Sequence, residues 1–156
     1  ALHSGGAARD AESLLDQILT FCGDKKEIKK DEVKQILGLA DMAWASDFVD
    51  LLSVKDGKGA VELLESSLEN GYEPVELARI IVAYLRKALL FNLNKDLAEM
   101  PGEELEKLNK QVSALGTAGL QRALNLFMEA EIKMKYSTIP QLPLELAIVD
   151  FINQNL

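Results

Sequence analysis

The chain has 156 residues, 48% of them hydrophobic, with a formal net charge of −8 and an isoelectric point near 4.7. That is enough apolar material for one sizeable core, or for a small domain joined to part of another. The acidic balance argues against a protein that holds a nucleic-acid backbone by itself, and a single Cys and a single His exclude an intramolecular disulfide and make metal chemistry unpromising.

The opening ALHSGGAARD has no initiator Met and reads as the tail of something upstream, so the expectation is a piece of a longer protein in a reducing cytoplasm, with no signal peptide. From Arg9, residues Ala11, Leu14, Leu15, Ile18, Leu19 and Cys22 fall at the spacing of one buried helical face, closed by Gly23. A lysine-rich turn leads to a short helix capped by Asp31, with Val33, Ile36 and Leu37 inward and Gly38 at its end. Asp41 is the next candidate cap. Trp44, Phe48, Leu51 and Leu52 follow at helical spacing up to the Asp56-Gly57 turn, and Ala60, Val61, Leu64 and Leu68 predict another helix, ending at Asn70-Gly71.

Pro74 to Leu93 is the organising stretch. Only Glu76, Arg79, Arg86, Lys87 and Asn92 are strongly polar in it, and Pro74 suits the first turn, where its missing N–H costs nothing. A helix apolar over nearly its whole circumference should be surrounded by others. Its uncharged runs, such as Ile80 to Leu85, are far short of the ~20 apolar residues of a membrane span.

Pro101, Gly102, Glu103 and Glu104 make a helix start with acids where the macrodipole favours them, followed by a stripe of Leu105, Leu108, Val112 and Leu115 that Gly116 breaks. Thr117 to Tyr136 predicts a second long helix, with Leu120, Ala123, Leu124, Phe127, Met128, Ala130 and Met134 inward. Ser137 to Pro140 is a turn, and Pro143 starts a closing helix that presents Leu144, Ala147, Ile148, Phe151 and Ile152 to the core. About eight helices with short connections make the expected fold all-α. Only the segment around Ile28 could be extended.

No phosphate-binding G-x-x-x-x-G-K-[ST] loop is present, which excludes an independent ATPase in this chain, and no constellation supplies a nucleophile, base and metal set. His3 stands without a second ligand nearby, Cys22 reads as a small core hydrophobe, and Glu103-Glu104 and Glu129-Glu131 read as solvated helix faces. The cluster Lys25, Lys26, Lys29, Lys30 and Lys34 reads either as a solvated turn or as a local nucleic-acid contact. The remaining oddity is Arg9, behind Gly5 and Gly6 in the first turn of a helix. A cation there is unfavourable unless an anion is near, so Arg9 either receives a phosphate or pairs locally with Asp10, Glu12 or Ser13.

At GAARDAESLLDQ, Gly6 to Gln17, the chain resembles the sensor 2 segment of the gamma/tau subunits of bacterial DNA polymerase III clamp loaders, members of the AAA+ ATPases, although Ala7 departs from their usual Ser. VKQILGL, Val33 to Leu39, is similar to the end of the helical lid. The stretches from Glu73 to Leu90 and from Leu120 to Val149 look like helices of the collar domain. The resemblance implies a partial lid over residues 1–39, with Arg9 as the nucleotide-sensing arginine, and an oligomerising helical-bundle collar over residues 41–156. It implies no catalytic or metal residues and no cofactor in this chain, with ATP and Mg in the intact parent. Other clamp-loader subunits would be the direct partners, the sliding clamp and primed DNA being reached only through the intact complex, and no membrane is involved. The competing reading is a free-standing helical adaptor that binds a partner helix in an apolar groove beside Pro74 to Leu93.

Overall fold

The computed structural model describes residues 39–94 and 102–153. The chain divides into two units, Ala1–Trp44 and Ala45–Leu156. Among the described residues all regular structure is helical: α1 (Leu39–Ser53), α2 (Gly57–Glu69), α3 (Pro74–Leu93), α4 (Gly102–Met134) and α5 (Leu142–Asn153). The expected helices over Arg9 to Cys22 and Asp31 to Gly38 lie outside the described residues.

Helix α1 buries Ala45, Phe48, Val49 and Leu52, an i, i+3, i+4, i+7 set that forms one stripe. Asp41, expected as its cap, instead stands inside the first turn, because the helix already runs from Leu39. It ends in a pair of reverse hydrogen bonds, Asp56 N–H to Leu51 C=O at 2.9 Å and Lys55 N–H to Leu52 C=O at 3.1 Å, with Lys55 at φ 59°. This is the left-handed closure that glycine usually provides. The residue in that position is therefore Lys55 and not the expected Asp56-Gly57 pair. Asp56 acts on the next helix, where its carboxylate accepts from Gly59 N–H at 2.9 Å and caps α2.

Helix α2 closes as expected at Asn70-Gly71, with Gly71 at φ 95° and Tyr72 N–H returning to Ser67 C=O at 3.1 Å. Pro74 then occupies the first turn of α3. The expectation that α3 is enclosed on all sides needs correcting. Its buried residues, Leu77, Ala78, Ile81, Tyr84, Leu85, Ala88 and Phe91, lie on one side, Ala83 is exposed, and Leu93 is 72% exposed. Val75, Ile80, Val82, Leu89 and Leu90 are half-buried, and the exposed side carries Glu76, Arg79, Ala83 and Arg86, so α3 is a broad amphipathic helix and not a central rod.

The two helices expected on either side of Gly116 are both present, joined end to end as α4, with Gly116 at φ 64° and ψ 175° marking the break. Leu108, Val112, Leu120, Ala123, Phe127, Ala130 and Met134 of α4 are buried, but Met128, expected on this face, is 45% exposed. It lies about 160° around the helix from Ala130, by the 100° advance per residue, and so points away from the core. In α5, Leu144, Ala147, Ile148 and Phe151 are buried as expected. The most extensive helix contacts are α3 against α4 and α4 against α5, with α2 also touching α5. Phe48 of α1 meets Phe127 of α4 edge to face, 5.6 Å between centroids at 77°, an arrangement that adds to the simple burial of the two rings.

Candidate interaction surface

What the second half of α4 and α5 bury is matched by what they leave exposed. Ile132 is 59% exposed, Tyr136 86%, Leu146 52% and Val149 46%, with Met128, Ile139 and Leu142 also open to solvent. Scattered surface apolar residues are ordinary; here seven come from two packed helices and the turn between them. Ser137 shapes that turn by donating from Oγ to Ile139 C=O at 2.6 Å, and Leu144 and Glu145 N–H both return to Gln141 C=O, starting α5. Between the helices runs a groove of about 380 Å³, lined by Leu126, Ala130 and Tyr136 on one side and Pro143, Leu146 and Ala147 on the other, with Glu129, Lys133 and Asp150 also along it. Such a surface can take apolar side chains from a partner. The expected groove beside Pro74 to Leu93 is not where this one lies, because the apolar side of α3 is packed along α4.

The acidic pairs behave as solvated faces. Glu103, Glu104 and Glu129 are exposed, Glu129 pairs with Lys133 one turn on at 3.2 Å, and Glu131 reaches across to Arg79 of α3 at 3.2 Å. Among the described residues no group of three or more His, Cys, Asp or Glu could hold a metal ion, and no helix is long and apolar enough to cross a membrane. Arg9, His3, Cys22 and the cluster Lys25, Lys26, Lys29, Lys30 and Lys34 lie outside the described residues.

A polar cluster that sequence reasoning missed joins α1, α3 and α4. Gln111, 1% exposed, accepts from Tyr84 Oη at 2.7 Å and donates to Ser46 C=O at 2.9 Å and to an Asp50 carboxylate oxygen at 2.5 Å. Tyr84 Oη also lies 3.1 Å from Ser46 Oγ, and Lys107 bridges Asp47 at 2.6 Å and Asp50 at 2.9 Å. Burial pushes the Tyr84 hydroxyl above its ordinary value of 10.0. For Lys107 burial pulls the other way, but hydrogen bonds and attraction to Asp47 and Asp50 outweigh it and leave the ammonium above 10.5. The available signal was Gln111 itself, a polar residue inside the Leu108, Val112, Leu115 stripe.

The chain is 27% identical over 146 residues to the DNA polymerase III subunit gamma/tau of Mycobacterium tuberculosis (strain H37Rv), covering 90% of this chain and 25% of that protein. It is 27% identical over 154 residues to the DNA polymerase III subunit tau of Bacillus subtilis, covering 96% of this chain and 26% of that one. The chain thus spans about a quarter of the length of these relatives. In fold it is similar to the solved Bacillus subtilis DNA clamp loader delta protein, with a TM-score of 0.61 and 16% identity over 98% of this chain and 48% of that one. The family model for domain III of DNA polymerase III subunits gamma and tau matches residues 28–155, through every helix described above, and the chain belongs to that family.

Proposed function

We propose that this chain is the assembly region of a clamp-loader subunit acting in cytoplasmic DNA replication. Residues 41–156 form the collar that joins it to other clamp-loader subunits, and residues 1–39 belong to the lid of the ATPase. The observation that carries the assembly role is the exposed apolar surface along α4 and α5 in a chain of this family. Ile132, Leu146 and Val149 all stand on the outside of these two helices. A same-family partner gives them something to bury against.

In this reading ATP and Mg are handled by the intact subunit, and the sliding clamp and primed DNA are met only by the assembled complex. This chain alone turns over no nucleotide. Arg9 is the residue proposed to meet the terminal phosphate, transmitting nucleotide state to the lid. Arg9→Ala in the full-length subunit should weaken coupling of ATP binding to clamp opening by roughly ten- to a hundredfold, with Arg9→Lys rescuing little because the planar fork is lost.

The direct test of assembly is the mass of the chain in solution, with and without the other clamp-loader subunits. Ile132→Glu and Leu146→Glu together should lower the assembled fraction while leaving the melting curve in place, since both side chains already face water. Undiminished assembly would place the interface elsewhere on the chain.

A further inference from the structure

We propose, resting on the assembly role given above, that the groove between α4 and α5 seats a helix of a different polypeptide that carries a Lys or Arg beside its apolar side chains, and that Asp150 selects it. The two ends of the groove are unlike. Helices α4 and α5 run antiparallel about the turn at residues 137–141, so Tyr136 stands level with Leu142, and Leu126 stands level with Asp150. The end nearest the turn is apolar, walled by Tyr136, Leu142, Pro143 and Leu146. Leu142, Leu146 and Asp150 follow one another at one-turn intervals along α5, so the same strip that begins apolar ends in a carboxylate.

The fold gives that carboxylate no cation. Asp150 is exposed and, among the described residues, makes no ion pair, while Glu129 and Lys133, the other charged groups lining the groove, neutralise each other at 3.2 Å. Arg122 donates to the Asp150 carbonyl and lies against the Phe151 ring, and it does not line the groove. Asp150 also stands in the last turn of α5, which holds no basic residue and where the helix dipole disfavours a carboxylate. An unmatched negative charge thus borders an apolar groove, and a cation brought by a partner relieves both the helix end and the rim.

A groove between two packed helices accepts the side-chain ridge of a third. Side chains one turn apart on such a helix are about 5–6 Å apart, which is also the spacing of Leu146 and Asp150 on α5. A helix lying along the groove therefore sets an apolar side chain against Leu146 and a basic one against Asp150. A second copy of this chain is the poorer occupant. From its own groove it offers, among the described residues, no cation but Lys133, which Glu129 holds, and two chains of net charge −8 repel each other.

The test is the affinity of the full chain for the other clamp-loader subunits, measured at low and high salt for the parent, Asp150→Asn, Asp150→Lys and Leu146→Ala. Melting curves should stay in place, because both side chains face water. At low salt Asp150→Asn should weaken binding by about two- to fivefold and Asp150→Lys by about tenfold, and both losses should shrink at high salt. Leu146→Ala should weaken binding at either salt concentration. Loss in Leu146→Ala with both Asp150 variants equal to the parent would keep the assembly surface and overturn the basic partner. Loss confined to the Asp150 variants would overturn the seating of a helix in the groove. No loss in any of the three would place assembly elsewhere on the chain and remove the proposal with it. Pairing of this chain with a second copy of itself, with the same dependence on Asp150, would overturn the choice of a different polypeptide.

Discussion

The Arg122 guanidinium lies 5.6 Å from the centroid of the Phe151 ring and donates from Nη2 to the Asp150 carbonyl, so one side chain of α4 holds both the ring and the backbone of the last turns of α5. Carbonyls near a helix C-terminus carry partial negative charge, and a cation there is favoured on two counts, by the dipole and by the ring face. Arg122→Ala should destabilise the chain by about 1–2 kcal/mol, with Arg122→Lys in between because it keeps the charge and loses the planar stack. Urea denaturation gives the magnitude, and hydrogen exchange should show α5 loosening before α3.

Phe127 carries more of the fold than any charged pair. It is fully buried and makes the edge-to-face contact with Phe48 that ties α1 to α4. Phe127→Ala should cost about 3–5 kcal/mol, a large part of the ~5–15 kcal/mol that holds a typical domain together. Phe127→Leu should cost far less, about 1–2 kcal/mol, because most of the volume is kept. Equal effects of the two would mean that the site collapses around either, which calorimetry would reveal.

Alkali should loosen the packing of α1 on α3 and α4. Tyr84 and Lys107 both have folded-state values raised above 10.0 and 10.5. Each holds its proton more firmly when folded, so its contribution is complete below the unfolded value and is lost as pH rises through the folded one. Stability should therefore be insensitive to these two groups at neutral pH and fall above about pH 10. Tyr84→Phe should make that alkaline decline shallower. Unfolding midpoints measured from about pH 8 to about pH 11.5 in parent and variant check it; parallel curves would show that Tyr84 plays no part.

Helix boundaries are legible in the sequence wherever they depend on local chemistry. Pro74, Gly71 and Gly116 each impose a backbone requirement that is the same in any fold, and the structure puts a helix start, a helix end and a break at those residues. Lys55 is not legible in this way, because nothing about lysine announces a left-handed residue; the surrounding hydrogen bonds impose it. Met128 and the flanks of α3 differ from expectation because apolar character says that a side chain can be buried, not which neighbour arrives to bury it. The apolar excess of α5 is visible in the sequence, and Leu146 and Val149 are the exposed part of it. Ile132 joins them only once α4 has a direction. The link from Tyr84 through Gln111 to Ser46 spans 65 residues of chain and cannot be read from spacing.

The break in α4 can be tested against a second glycine three residues on. At Gly116 a Cβ would meet nothing within 4 Å, so space is no obstacle to Ala. The backbone is, because φ 64° with ψ 175° is a region that only glycine occupies readily. Gly116→Ala should cost about 1–3 kcal/mol, or else shift the break and pull Thr117 Oγ1 away from the Asn92 amide that donates to it at 2.8 Å. Gly119 is the opposite case. Its backbone is helical and an added Cβ would touch Leu115 Cβ at 3.4 Å, the near limit of ordinary contact. Replacing a helical glycine there removes backbone freedom from the unfolded chain, and Gly119→Ala should be neutral or stabilising by up to about 1 kcal/mol. Denaturation of the two variants side by side separates strain from space. If Gly116→Ala proves no more costly than Gly119→Ala, the chain does not need glycine at the break, and the bend must be held by the packing of α3 and α5 on either half of α4.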